Sequence, residues 1–150
     1  MKKIKVLLTA LVVTAITATS CSSDDSAGTP ASIEAKWTPI KTVTKLGSSN
    51  QTVNYTGNEA DCDKDYVQFV TGGTLKDVIY FKNASDVCTE DVSTEPATWN
   101  KSADLLTING GGYEGTFDII KLTNADLIIT EESTLGGVDS SVTYYFKKVN

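Results

Sequence analysis

From Ile33 onward, short apolar–polar runs alternate with turn residues, and no long stretch carries helical periodicity. Runs with strand character fall at 35–43, 51–56, 66–71, 75–82, 97–101, 104–109, 113–122, 126–131 and 141–149. The last is the clearest: Val142, Tyr144 and Phe146 share one face against Thr143, Tyr145 and Lys147. Leu106 with Ile108, and Leu127 with Ile129, likewise share a face. Around Phe117, Ile119, Ile120 and Leu122 the parity switches, which predicts a bulge or a segment buried on both faces. Gly72-Gly73, Asn109-Gly110-Gly111-Gly112, Asn124-Ala125 and Gly136-Gly137 supply turn residues that tolerate positive φ, and Lys101-Ser102-Ala103-Asp104 is a further polar break. Connections this short favour antiparallel neighbours. The pattern predicts an all-β, up-and-down meander, closed as a barrel or folded as a sandwich.

The N-terminus follows a different pattern. Lys2, Lys3 and Lys5 precede an apolar run from Val6 to Ala18 that is too short for a membrane span but suits the core of a signal peptide. Ala18, Thr19 and Ser20 then lead to Cys21, a sequence that looks like a bacterial lipobox, in which the Cys becomes the first mature residue and carries lipid. Ala18 stands where Leu is commoner, and an ordinary secretory signal cleaved nearby is the alternative. Residues 1–20 are thus expected to be a lipoprotein signal peptide. Residues 21–32 are expected to be a flexible tether with lipid on Cys21, and 33–150 one folded domain. Ser22-Ser23-Asp24-Asp25 resembles the acidic export signal of surface lipoproteins in Bacteroidota, although a plain solvated linker reads the same way. Asp25-Ser26-Ala27 resembles the short O-glycosylation motif of the same bacteria.

Composition narrows the chemistry. All 13 basic residues are Lys; the chain has neither His nor Arg. That removes a His general base, a His-activated nucleophile, imidazole metal ligands and bidentate guanidinium clamps. The net charge of −6 disfavours nucleic acid as a partner, and loss of Lys2, Lys3 and Lys5 with a signal peptide takes it to −9. The address is extracytoplasmic, an outer-membrane lipoprotein on the cell surface or the periplasmic face, with the membrane contacted through Cys21.

Cys62 and Cys88 remain as a pair in an oxidising compartment, and a disulfide is the natural reading, with two free thiols as the alternative. The bridge would close a loop of about 27 residues, worth roughly 3–4 kcal/mol in the chain-entropy picture. Asp61, Asp63 and Asp65 alternate and would share a face of an extended chain, which makes them weak candidates for Ca²⁺. The EF-hand pattern they begin then fails, because Tyr66 and Gly72 stand where Gly and Glu are needed; otherwise they form a solvated acidic turn. Adjacent Glu131 and Glu132 point to opposite faces and form no dyad, while Glu90, Asp91 and Glu95 fall in a polar loop. No carboxylate pair is singled out, so no enzyme and no cofactor is expected. Trp37 and Trp99 are candidate barrel-end plugs or ligand-stacking aromatics, and the six tyrosines are expected to bridge core and surface rather than line a pocket.

With these residues in place, the chain resembles the lipocalin-like domain family of secreted Bacteroidota lipoproteins. The resemblance rests on Ala35-Lys36-Trp37, similar to the lipocalin Gly-x-Trp, then on Cys62-Asp63-Lys64-Asp65-Tyr66-Val67-Gln68-Phe69, Cys88 and Ala97-Thr98-Trp99. Leu106-Thr107-Ile108 and Ile119-Ile120-Lys121-Leu122-Thr123-Asn124-Ala125-Asp126-Leu127 are similar to its closing motifs. The resemblance implies an antiparallel barrel of about eight strands with Trp37 packed near one end. It implies a small, hydrophobic ligand in or at the mouth of the barrel. The alternative is a side-chain-filled barrel that serves as a structural or interaction module of the outer membrane and contacts a protein or glycan through its loops.

Overall fold

The computed structural model describes residues 31–94 and 96–149. The expected signal peptide, Cys21, the acidic stretch after it, the Asp25-Ser26-Ala27 triplet and Glu95 lie outside the described residues. The strands are β1 (Lys36–Leu46), β2 (Ser49–Asn54), β3 (Tyr66–Val70), β4 (Thr74–Lys82), β5 (Cys88–Val92), β6 (Ala97–Ser102), β7 (Leu105–Asn109), β8 (Gly115–Leu122), β9 (Asp126–Leu135) and β10 (Val138–Lys148). Among the described residues there is no helix.

β1, β3, β4, β6, β7, β8, β9 and β10 pair in that order and β10 returns to β1, closing an eight-stranded antiparallel barrel of lipocalin-like form. β2 and β5 stand off this path, β2 on β1 and β5 on β4. Closure gives every barrel strand a partner on both sides, although β1–β3 and β4–β6 meet over only two residue pairs each. The parity read from the sequence sets which side chains enter. Leu106, Ile108, Leu127, Ile129 and Phe146 all point inward and are buried, while Tyr145 and Lys147 face out. The parity switch is a bulge between Ile119 and Lys121, which turns Ile120 out to 62% exposure.

The interior is filled. Trp37, Val67, Phe69, Leu75, Ala97, Leu106, Ile108, Phe117, Leu127, Ile129 and Phe146 form one cluster with Ile33. Ile33 and Trp37 close the floor, where the indole N–H donates to the Ile33 carbonyl at 2.8 Å. The chain is thereby pinned to the barrel base before its first strand begins.

At the opposite end four strands outrun the barrel. β1 above Lys41 lies between β2 and β10, and β9 continues beside β10 to Leu135. This wing is exposed over most of both faces. Its two hairpin tips are joined by a hydrogen bond from the Gly47 N–H to the Asp139 carbonyl, 2.8 Å. The sequence placed a break from 132 to 140 because nothing there alternates; pairing rather than burial holds the strands. β5 was read as a polar loop for the same reason: Cys-Thr-Glu-Asp-Val has no buried face. Run 113–122 also starts later than its pattern, at Gly115, and leaves Tyr113 in the loop that caps the mouth.

Candidate binding site at the barrel mouth

Three tyrosines converge where the barrel opens beneath the wing. β10 carries Tyr144 inward, two residues from Phe146, on the face that sequence parity assigned to it. The glycine-rich turn after β7 brings Tyr113 over both rings, with edge-on centroid distances of 5.4 Å to Tyr144 and 5.5 Å to Phe146. Gly110 takes φ +80° there, and a Cβ at this position would lie 2.7 Å from the Pro96 carbonyl, so only glycine fits that turn. Tyr55 arrives from the end of β2. Together with Pro39, Thr42 and Val53, these rings line a cavity of about 250 Å³.

Acidic groups lie close by. Asp65 is buried; its carboxylate accepts from the Tyr55 hydroxyl at 2.6 Å and from the Tyr80 N–H at 2.7 Å. Its backbone carbonyl accepts from the Thr38 hydroxyl at 2.9 Å, and its N–H donates to the Asn58 side chain at 3.0 Å. One residue thus ties the 55–65 segment to β1 and β4. Burial raises the Asp77 carboxyl above its ordinary value, and the Asp65 charge adds to this. Burial also raises the hydroxyls of Tyr113, Tyr55 and Tyr144, reinforced by Asp77, Asp65 and Glu131 respectively. The mouth is therefore an aromatic cup whose hydroxyls stay protonated donors beside carboxylates.

Comparison with protein-family models, with curated proteins and with solved structures yields no match.

Of the residues singled out in the sequence, the cysteines lie as expected and the aspartates do not. Cys62 and Cys88 are bonded, with Cα atoms 5.6 Å apart, and anchor the 55–65 segment to β5. Asp61, Asp63 and Asp65 do not share a face. Asp61 takes φ 64°, which breaks the extended alternation, and pairs with Lys82 at 3.5 Å. Asp63 is exposed, and Asp65 turns inward to its own donors. Among the described residues no group of three or more His, Cys, Asp or Glu is placed to hold a metal ion.

Trp37 is fully buried in the floor, beyond the reach of a ligand. Trp99 packs edge-on against Phe69 at 5.4 Å and donates its indole N–H to the Val70 carbonyl at 3.1 Å. Trp37 is a structural side chain of the closed end, Trp99 is half-buried there and lines a surface cleft with Ile33 and Lys101, and tyrosines build the mouth. The inward parity of Tyr144 pointed there; Tyr55 and Tyr113 fall in runs expected to be strands, 51–56 and 113–122, but lie just outside β2 and β8. Glu131 and Glu132 separate as expected, Glu131 half-buried and Glu132 exposed.

Proposed function

We propose that the protein is a lipid-anchored, extracytoplasmic binding protein of lipocalin-like type, attached to the outer membrane through Cys21. Its small ligand, apolar on at least one face, docks at the mouth of the barrel. The observation that carries the reading is the tyrosine cup over an interior otherwise filled by side chains, which directs a ligand to the mouth rather than to the barrel core. The wing supports it: Leu46, Val53, Leu135 and Val138 are exposed and, by register, share the face that continues Tyr144. That face extends the cup with apolar surface. Ile33 enters the barrel at the floor, the end opposite the mouth.

Native mass spectrometry of protein released gently from membranes tests this. A bound mass is expected on the wild type and is lost from Thr42→Trp, which fills the cup. A ligand-free wild type overturns mouth binding, and absence of a palmitate-analogue label at Cys21 overturns the anchor. The same exposed wing face favours one second reading, a module that contacts a protein or glycan. In that case cross-linking from position 135 in intact cells captures a partner while the protein carries no ligand.

A further inference from the structure

We propose that the outer wall of the barrel carries a second site, for a small organic anion bearing a carboxylate or phosphate group. It arises where the barrel closes. β1 pairs with β3 only at Lys36↔Gln68 and Trp37↔Val67, then leaves it and joins β2 at Lys41↔Asn54. The fork leaves an outward cleft of about 510 Å³ between β1, β3, β4, the end of the 55–65 segment and the end of β10. Its size falls within the roughly 300–1,000 Å³ typical of small-molecule sites. A bare ion fills only a corner of it, so there is room for the body that carries the charge.

Four lysines line the cleft: Lys36, Lys64, Lys147 and Lys148. In a chain of net charge −6 this local excess runs against the average. Among the described residues, no carboxylate forms an ion pair with Lys36, Lys64 or Lys148. Lys147 pairs with Asp126, but Lys121 shares the same carboxylate. Among the described residues, the negative groups that face the cleft are Asp63 on its lining and Glu90 on β5, near Lys36 and Tyr80. Lysine remains in excess after both.

Lys36 is also held in place, its ammonium 4.2 Å from the centroid of the buried Tyr66 ring. The apolar parts of Tyr66, Tyr80 and Ile40 give the walls that a sugar-like body packs on. An anion seated in the cleft is attracted by the ammonium groups that line it. With no arginine present, recognition is by point charges rather than by a fork, so carboxylate and phosphate are both accommodated.

The test is an amide-resolved NMR titration of the folded, disulfide-intact domain at low ionic strength, with galacturonate, inorganic phosphate and neutral galactose as probes. At least one anion is expected to bind saturably, with shifts clustered at Lys36, Tyr66 and Lys148, and galactose is not. Binding weakens about tenfold or more in Lys36→Glu/Lys148→Glu but is unchanged in Lys45→Glu/Lys101→Glu, which alters net charge equally elsewhere. Lys148→Gln, which removes one charge and shortens the side chain by one atom, weakens it less. Galacturonate alone assigns an acidic sugar, phosphate alone a phosphorylated ligand, and mutual competition a site that reads charge. Failure of both anions to saturate, an equal loss in the control pair, or equal binding of galactose overturns the proposal.

Discussion

Replacing Asp65 with alanine strips the acceptor from two donors at once. The residue is 2% exposed, and its carboxylate takes the Tyr55 hydroxyl at 2.6 Å and the Tyr80 N–H at 2.7 Å. Hydrogen bonds to a charged acceptor contribute about 1.5–3 kcal/mol each. The Tyr80 N–H cannot leave, because β4 fixes it; the half-buried Tyr55 hydroxyl turns toward water and recovers part of its loss. Relief of the buried charge offsets a further share. Asp65→Ala is therefore expected to lower stability by about 3–4 kcal/mol. Asp65→Asn keeps one carbonyl oxygen for the Tyr80 N–H and costs about 1–2 kcal/mol. Tyr55→Phe costs about 1 kcal/mol, and because it removes one of the same bonds, the double variant Asp65→Ala/Tyr55→Phe is less destabilised than the two changes summed. Urea unfolding with the disulfide intact, read as midpoint at constant m-value, measures all four. An Asp65→Ala variant within about 1 kcal/mol of wild type, or strict additivity with Tyr55→Phe, would refute the reasoning.

Three other outcomes follow from the same geometry. Cys62→Ser/Cys88→Ser opens a loop spanning a sequence separation of 26 and is expected to cost about 3 kcal/mol, visible as a lower thermal midpoint; a reductant should shift the wild type by a similar amount. Trp37→Ala removes the floor plug and its bond to Ile33, at a cost of about 3–5 kcal/mol, whereas Trp99→Phe, at a half-buried position, costs less; equal losses in urea would contradict the assignment of the floor. The Asp77 carboxyl is raised in the folded protein by burial and then by Asp65, so the folded state holds its proton more tightly than the unfolded chain does. Its contribution is present below the ordinary carboxylate value and is lost as pH rises through the raised one; hence Asp77→Asn should stabilise at pH 7 and not at pH 3, and identical urea midpoints for variant and wild type at pH 7 would count against it.

The barrel was legible where one face of a strand is buried. Val142, Tyr144 and Phe146, or Leu106 and Ile108, carry a period of two because the interior selects every second residue, and the bulge near Ile120 declared itself as a break in that period. β5 and the wing were not legible, because no face there is consistently buried and the strands persist through pairing alone. The disulfide was legible from counting cysteines in an oxidising context. The proposed binding surfaces were less so. The mouth draws Tyr55 and Tyr113 from the connections after β2 and before β8, and the lysine cleft joins Lys36 to Lys147 across the closure between the first and last strands. Contacts between residues so far apart in the chain leave no local pattern to read.

The anchoring of Ile33 beneath Trp37 has a mechanical meaning. A pull transmitted through the chain ahead of Ile33 meets the base of β1 and runs along that strand. β1 is bound to β10 from Trp37↔Lys148 to Leu46↔Ser140, so the load falls on many backbone bonds together, in shear, instead of unzipping them one at a time. The two-residue seam with β3 is too short to bear much of it. A domain held by its N-terminus against flow would therefore resist along the longest of the pairings that β1 makes.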